Sequence, residues 1–358
     1  MSAEAARDYS LVGLEARRSV AAGLASARWY TPPITRAELK ELMRRKDAPA
    51  IRDTLTWFAA LIVSGALGYY FWGSWAAVPF FLVYGVLYGS ASDSRWHECG
   101  HRTAFKTQWM NDAVYQIACF LIMREPEIWR WSHTRHHTDT VIVGRDPEII
   151  TPRPPDVVSL LLNILSLKNA AIFFMKLFNH ASGRLNDEEA TFVPESERPK
   201  VYRTARVYLA IYALVVVACV YFRSILPAMY IGLPSLYGSW LQLYFGVTQH
   251  LGLAEDVLDH RLNSRTIYMN PIFRFLYWNM NYHVEHHLFP LVPYHALPKL
   301  HEAIKPDCPP PYPSTIAAYR EIIPTLWRQL KEPAYYARRE LPPSARSAPP
   351  RNAMAART

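Results

Sequence analysis

Between Asp53 and Asp93 the chain carries no charged side chain for 39 consecutive positions, "TLTWFAALIVSGALGYYFWGSWAAVPFFLVYGVLYGSAS". A helix needs about 20 apolar residues to cross a bilayer core, so this run has room for two crossings. "WGSW" at 72–75 lies at its midpoint and suits a tight turn flanked by interfacial tryptophans. The pattern predicts a helical hairpin with spans at about 54–72 and 75–92. A second apolar region repeats the arrangement. "VYLAIYALVVVACVYF" (207–222) ends at Arg223, whose long side chain can reach the interface, and 224–254 again holds no Asp, Glu, Lys or Arg. Spans at about 205–223 and 225–250 follow. The expected fold is an all-α integral membrane protein with four transmembrane helices in two hairpins. Two long uncharged blocks, each dividing near its middle, argue against buried helices of a soluble protein.

"VVSLLLNILSL" (157–167) and "NAAIFFM" (169–175), separated by Lys168, are too short to span and are expected along the interface or under a cap. Basic residues set the orientation. Arg36, Lys40, Arg44, Arg45, Lys46 and Arg52 precede the first hairpin, its turn has no Lys or Arg, and 93–206 and the segment after 255 are rich in both. Residues 1–53 are then a cytoplasmic N-terminal segment, 54–310 the membrane domain with a cytoplasmic helical cap, and 311–358 a cytoplasmic helix and disordered tail. The expected location is a bacterial inner membrane with both termini cytoplasmic.

The net charge of +9 fits this topology and anionic lipid head groups. No nucleic-acid-binding fold is visible, so a nucleic-acid partner is not expected. Cys99, Cys119, Cys219 and Cys308 show no paired spacing and fit a reducing compartment. The apolar part of "RRSVAAGLASA" (17–27) is short and Ala/Gly-rich, which argues against a cleaved leader.

The chemistry lies in the histidines. "HECGH" places His97 and His101 at i and i+4, on one helix face. "HTRHH" places His133, His136 and His137 at i, i+3 and i+4, and "HVEHH" repeats that spacing with His283, His286 and His287. His250 ends the fourth expected span. All nine fall on one side of the membrane. One ion takes about four to six ligands, so nine imidazoles fit two ions better than one. Imidazole suits Fe, Zn, Cu and Ni, so ligand type alone leaves the metal open. A zinc protease would use "HECGH" with one further ligand, and a bis-histidine haem would need histidines inside the spans. Isolated His180, His260, His295 and His301 are expected at the surface or at helix caps. Pro290, Pro293 and Pro298 are expected to stop the last ligand helix and turn the chain over the site.

The three boxes, in the order span pair, box, box, span pair, box, resemble those of the membrane fatty acid desaturase superfamily over residues 50–310. The resemblance implies a four-span bundle, a cytoplasmic cap and a non-haem di-iron centre that uses dioxygen to abstract hydrogen from an unactivated C–H bond. It implies His97, His101, His133, His136, His137, His283, His286 and His287 as catalytic iron ligands, with His250 as the further histidine after the fourth span. Acyl-CoA desaturases carry Asn one turn before that histidine, where this chain has Gly246. The stretch from His101 to Ile149 is similar to the rhizopine-oxygenase-like branch, with dihydrorhizobitoxine desaturase as another relative, which implies a lipid or a small amphiphilic or polar substrate. Desaturation and hydroxylation share one ligand set, so a hydroxylase or monooxygenase stays beside the desaturase reading. A di-zinc membrane hydrolase and a metal-binding or electron-transfer membrane protein are the readings of other classes.

Glu98, Asp139, Asp146 and Glu285 lie in or just after the boxes and are candidates to accept the outer N–H of ligand imidazoles, unless they pair with Arg135 and Arg145. The chain has no dinucleotide fingerprint, iron–sulfur spacing or fused haem domain. Electrons are therefore expected from a ferredoxin or similar carrier and its NAD(P)H-dependent reductase, docking near Arg102, Lys106, Arg130 and Arg135.

Overall fold

The computed structural model describes residues 7–25 and 27–346. Among these residues the chain is helical throughout; the only β pairing is two isolated bridges, Thr266–Tyr282 and Ile267–Tyr312. In chain order the helices are α1 (Leu14–Ala21), α2 (Arg36–Leu42), α3 (Asp47–Tyr70), α4 (Ala77–Gly85), α5 (Ala91–Gly100), α6 (Gln108–Leu121) and α7 (Pro126–Thr138). Then come α8 (Val157–Leu162), α9 (Leu167–Ala181), α10 (Asp187–Ala190), α11 (Arg198–Phe222), α12 (Leu226–Tyr230), α13 (Pro234–Tyr237) and α14 (Trp240–His250). The last five are α15 (His260–Asn263), α16 (Pro271–Leu276), α17 (His283–Leu288), α18 (Leu297–Ile304) and α19 (Thr315–Gln329).

Two helical runs, Arg36–Tyr70 and Glu195–Phe222, are long and apolar enough to cross a membrane, and they cover all but the last one or two residues of the first and third expected spans. α11 exposes Leu214, Val217, Val220 and Phe222, as lipid contact requires. The other two expected spans are built differently. The second starts as α4, passes through a π turn at Val86–Ser90 and continues as α5. The fourth is divided into α12, α13 and α14, because Pro227 and Pro234 lack the N–H a continuing helix needs and Gly232 takes φ +98°. Hydropathy covers these breaks because every segment between them is apolar. The two pieces expected along the interface and too short to span are joined: Val157–Leu165 and Leu167–Ala181 together are long and apolar enough to cross a membrane, but meet at an 83° bend at Ser166.

Close backbone contact locks α13 onto the π turn. A Cβ at Gly238 would lie 1.9 Å from the carbonyl oxygen of Gly85, so only glycine allows this crossing. The Ser90 hydroxyl donates to the Gly238 carbonyl at 2.5 Å and accepts the Gln242 N–H at 2.9 Å. The Trp57 indole donates to the Leu87 carbonyl at 2.8 Å, tying α3 to the same turn. The main core then continues from Trp57 through Tyr88, Trp96, Phe105 and Tyr115 to Trp278 and Tyr294. This core fixes α5 against α6 and positions the first histidine box.

The first and last described segments pack back onto the rest of the chain. Gly144, at φ +75°, lets α1 approach so closely that a Cβ there would meet the Ala16 nitrogen at 2.3 Å. The tail expected to be disordered is packed as far as Arg346, whose N–H bonds Asp307 at 2.8 Å; residues 347–358 lie outside the described residues.

Candidate metal centre

Four helices supply the nine histidines. α5 carries His97 with His101 at its C-cap, α7 carries the second box, α14 ends in His250, and α17 carries the third box. The side chains gather into two groups, His97, His101, His133, His137 and His286, and His136, His250, His283 and His287, within each of which one ligand atom per residue lies within 4.8 Å of the others. The H-x-x-H-H spacing explains the division. Positions i and i+4 share a helix face and join one group, while i+3 turns toward the other. From α7, His133 and His137 enter the first group and His136 the second; from α17, His283 and His287 enter the second and His286 the first. The two boxes therefore interlock in opposite senses.

The donor set fits metal ions. In the first group the Nε2 atoms approach at 2.7 Å (His97–His286), 3.0 Å (His97–His133) and 3.1 Å (His101–His133, His133–His137, His137–His286). In the second, His250–His283 is 2.9 Å and His283–His287 is 3.0 Å. Two nitrogens each about 2.1 Å from one ion, at right angles, are about 3 Å apart. Hydrogen bonding alone does not account for the convergence. Where Nδ1–H is donated outward, Nε2 carries a lone pair, and lone pairs facing one another need a cation between them.

The outward partners are specific. The Nδ1 atoms of His133 and His136 lie 2.9 Å from the carboxylates of Glu148 and Asp146. His250 Nδ1 donates to the Asn263 carbonyl at 2.8 Å, and His287 Nδ1 is 3.3 Å from the Thr140 hydroxyl. Glu98 faces His286 Nδ1 at 3.5 Å. Of the four expected acids, Asp146 therefore bonds a box histidine and Glu98 stands near one. Asp139 instead pairs with Arg145 at 2.9 Å and Arg135 at 3.4 Å, and Glu285 points away from the histidine face to His301 Nδ1 and Thr266, both at 2.5 Å. Glu148 was missed. Its only sequence signal is its place in "RDPE", two residues after Asp146, where the loop folds back over α7.

Burial, reinforced by neighbouring imidazoles, holds His97, His101, His137, His283, His286 and His287 well below the ordinary histidine value, so they are neutral, as ligands must be. His136 runs the other way: burial lowers it, but Asp146 outweighs burial and raises it. Burial pushes Glu98 up to about 8, against hydrogen bonds from Thr103 and the Tyr294 N–H. Glu148 is also buried, yet His133 brings it down to about 2.

Three isolated histidines expected at the surface are buried. His180 lies between Glu125 at 2.6 Å and Glu189 at 2.9 Å, and His301 bonds Glu285 and the Tyr268 hydroxyl. His260 stacks on Trp29 with centroids 4.1 Å apart and lies 5.0 Å from the His287 ring. Of the basic residues expected to receive a carrier, three have internal partners. Arg102 pairs with Asp112, Arg130 bonds the Gly100 carbonyl and stacks on Tyr115, and Arg135 bonds Thr191 and Asp139.

A cavity of about 280 Å³ opens beside His97, His133, His136 and His283, with Gly246 in its wall. A second, of about 360 Å³, shares Arg124, Trp129, Ser166, Asn169 and Gln242 with the first and continues it toward Lys176 and Glu189. Both are within the size range of small-molecule sites. A Cβ at Gly246 would meet nothing within 4 Å, so the wall is open where a larger residue would project.

Comparison with known proteins returned the fatty acid desaturase family, whose profile matches residues 73–319. The chain is 24% identical over 291 residues to an acyl-lipid (9+3)-(E)-desaturase of Dimorphotheca sinuata, covering 72% of this chain and 74% of that protein. It is 27% identical over 289 residues to an endoplasmic reticulum omega-6 fatty acid desaturase of Glycine max, covering 71% and 72%. It is 25% identical over 344 residues to a bifunctional desaturase/conjugase of Vernicia fordii, covering 84% and 86%.

Proposed function

The chain belongs to the fatty acid desaturase family, and from that premise we propose that it is a membrane di-iron oxidoreductase that introduces a double bond into an aliphatic chain, using dioxygen and electrons supplied from outside. The observation that carries the reading is the pair of interlocked histidine groups, five and four residues, beside a cavity that reaches them. His97, His101, His133, His137 and His286 would hold one iron, and His136, His250, His283 and His287 the other. Iron held there supplies the dioxygen activation needed to take hydrogen from an unactivated C–H bond.

The chain's own groups do the rest. Burial disfavours the charged form of His97, His101, His137, His283, His286 and His287, so they offer lone pairs rather than protons. Asp146 and Glu148 fix the tautomer and ring plane of His136 and His133. Gly246 leaves the wall open, and the cavity holds the reacting carbon against the histidine groups. The metal centre and both termini are placed on the cytoplasmic side of a bacterial inner membrane, on the Lys/Arg asymmetry. A small carrier such as a ferredoxin, itself reduced by an NAD(P)H-dependent reductase, delivers electrons there. The finer likeness to the rhizopine-oxygenase and dihydrorhizobitoxine branch finds no support among the relatives, whose names are those of lipid desaturases and conjugases.

The test is elemental analysis joined to product analysis. Purified protein is expected to contain two iron ions per chain, and mass spectrometry after turnover with a reducing system should find product two hydrogens lighter than substrate. A gain of one oxygen would make the enzyme a hydroxylase; active protein holding zinc and no iron would overturn the reading.

A further inference from the structure

We propose that electrons enter through Trp29 and His260, a stacked pair of rings leading from the surface to His287, and that the basic segment carrying Trp29 is the docking surface of an acidic one-electron carrier. That the metal centre takes up electrons rests on the oxidoreductase reading above; the path and the docking surface rest on ring contacts and charge.

His260 belongs to neither histidine group and is 3% exposed. Its ring lies parallel to the Trp29 indole, with 1° between the planes and 4.1 Å between the centroids. It is also 5.0 Å from the ring of His287, a member of the second group. Trp29 is half-buried, so the outer end of the stack meets solvent. The Trp29 indole N–H donates to the Thr138 carbonyl at 2.9 Å, and Thr138 directly follows His137 of the first group. One surface ring is thus joined to the second group by stacked rings and to the first by a hydrogen bond and the chain itself. Electronic coupling falls steeply across empty space and more slowly through packed or bonded atoms, which favours entry at such a ring.

The neighbouring residues hold the stack in place. The Tyr30 N–H donates to the Leu258 carbonyl at 2.9 Å, and its hydroxyl to Asp307 at 2.5 Å. The Arg261 guanidinium lies 3.5 Å from the centroid of the Tyr30 ring and is bound by Asp259 at 2.8 Å. Tyr30 follows Trp29 and Arg261 follows His260, so these contacts fix the two rings against each other.

Charge selects the partner. From Ala16 to Lys46 the chain holds eight Lys and Arg against two Glu. Arg28 is exposed beside Trp29, Arg17 is exposed on α1, and neither forms an ion pair among the described residues. α1 packs on the loop that follows α7, where the Ser19 hydroxyl donates to the Val143 carbonyl at 2.8 Å. A carrier with an acidic face is attracted to this segment.

Each turnover draws two electrons, one from each of two reduced carriers. They tunnel through the rings, so neither ring is left oxidised or reduced. With two protons from water and the two hydrogen atoms of the substrate they convert dioxygen into two waters.

The test is anaerobic stopped-flow reduction of the purified protein by reduced plant-type ferredoxin, beside reduction by dithionite. Ferredoxin binding is read by calorimetry and metal content is measured in every sample. Trp29→Leu is expected to slow reduction by saturating ferredoxin at least tenfold, with ferredoxin affinity, metal content and the dithionite rate unchanged. Trp29→Phe, which keeps a ring, should recover most of the rate. Arg28→Glu is expected to weaken ferredoxin binding about tenfold at low salt and much less at high salt; lying at the surface, it decides the matter if the ring variants do not fold. Equal saturating rates in wild type and Trp29→Leu would overturn the path, and so would an equal slowing toward dithionite, which would make Trp29 a residue of the fold alone. Equal affinity in wild type and Arg28→Glu, or no ferredoxin binding by the wild type, would overturn the docking surface. Protein without iron would sink the reaction assigned above but leave the Arg28 binding difference standing, so the two failures are distinguishable.

Discussion

His133 and His136 lie three residues apart on one helix, join different groups, and lean on different carboxylates. A partner of this kind orients the ring and strengthens the ligand, and its loss typically costs about 10–100-fold in metal affinity. Glu148→Gln and Asp146→Asn should each show that loss in competition with a chelator, and Glu285→Gln should not, because Glu285 serves His301 and Thr266. Equal losses in all three variants would mean general damage to the fold. Sequence reasoning reached Asp146 and passed over Glu148, although both lie on one loop. Adjacency to a box is a poor guide here, since a helix aims each neighbour of a ligand roughly 100° away from it. Glu285, inside a box, is turned from the histidines for that reason, and Asp139 finds two arginines instead. The convergence of the six histidines of the two H-x-x-H-H boxes was legible, because the i, i+3, i+4 spacing is the spacing that interlocks the two groups, whereas His250 carries no such spacing.

At the scale of the element, hydropathy measured transfer from water and was blind to backbone hydrogen bonding. It therefore found the apolar segments around α3 and α11 and read through the breaks in the other two. The signals for those breaks were present in Pro227, Gly232, Pro234 and Gly238, which report on the backbone rather than on lipid. The π turn at Val86–Ser90 had no such signal, because it depends on partners distant in sequence, Trp57 and Gly238. Insertions of this kind are frequent at functional sites, and this one precedes the first box by two turns. Gly238 gives the element its test. With no space for a Cβ, Gly238→Ala must separate α13 from the π turn, and a cost of about 1–3 kcal/mol is expected from such overpacking. Thermal unfolding in detergent reads it; Gly246→Ala, where a Cβ meets nothing and φ is negative as at Gly238, isolates the backbone part of the effect. Equal losses at the two sites would remove the steric argument.

For the whole molecule, the lipid-facing surface and the metal centre make separate demands. Reporters fused after Trp72 and at the C-terminus should report opposite sides of the membrane, since the first turn holds no Lys or Arg while the segments flanking the spans are basic. The same side for both would refute that topology. The metal centre, for its part, requires that imidazoles be buried uncharged, and this fixes a pH dependence. His97, His101, His137, His283, His286 and His287 have folded values well below the ordinary 6.5, for the desolvation described above. Above pH about 6.5 both folded and unfolded forms hold them neutral, and their full contribution is present. Below it the unfolded chain takes up protons that the folded chain refuses, so stability falls as pH falls. Glu148, lowered to about 2, acts in the same direction at more acid pH. Glu98, raised to about 8, acts oppositely, because the unfolded chain ionises first as pH rises. His136, His180, Glu125 and Glu255 are raised as well and oppose in the same way, but the six histidines, joined by His260 at about 3 and His295 at about 4, outnumber them. Chelator-treated protein should therefore lose unfolding temperature steeply as pH drops through about 6.5, and added iron, binding only the folded form, should move that loss to lower pH. A metal-free protein whose unfolding temperature stayed level between pH about 7.5 and 5.5 would show that these imidazoles are hydrated, and the interlocked arrangement would lose its electrostatic basis.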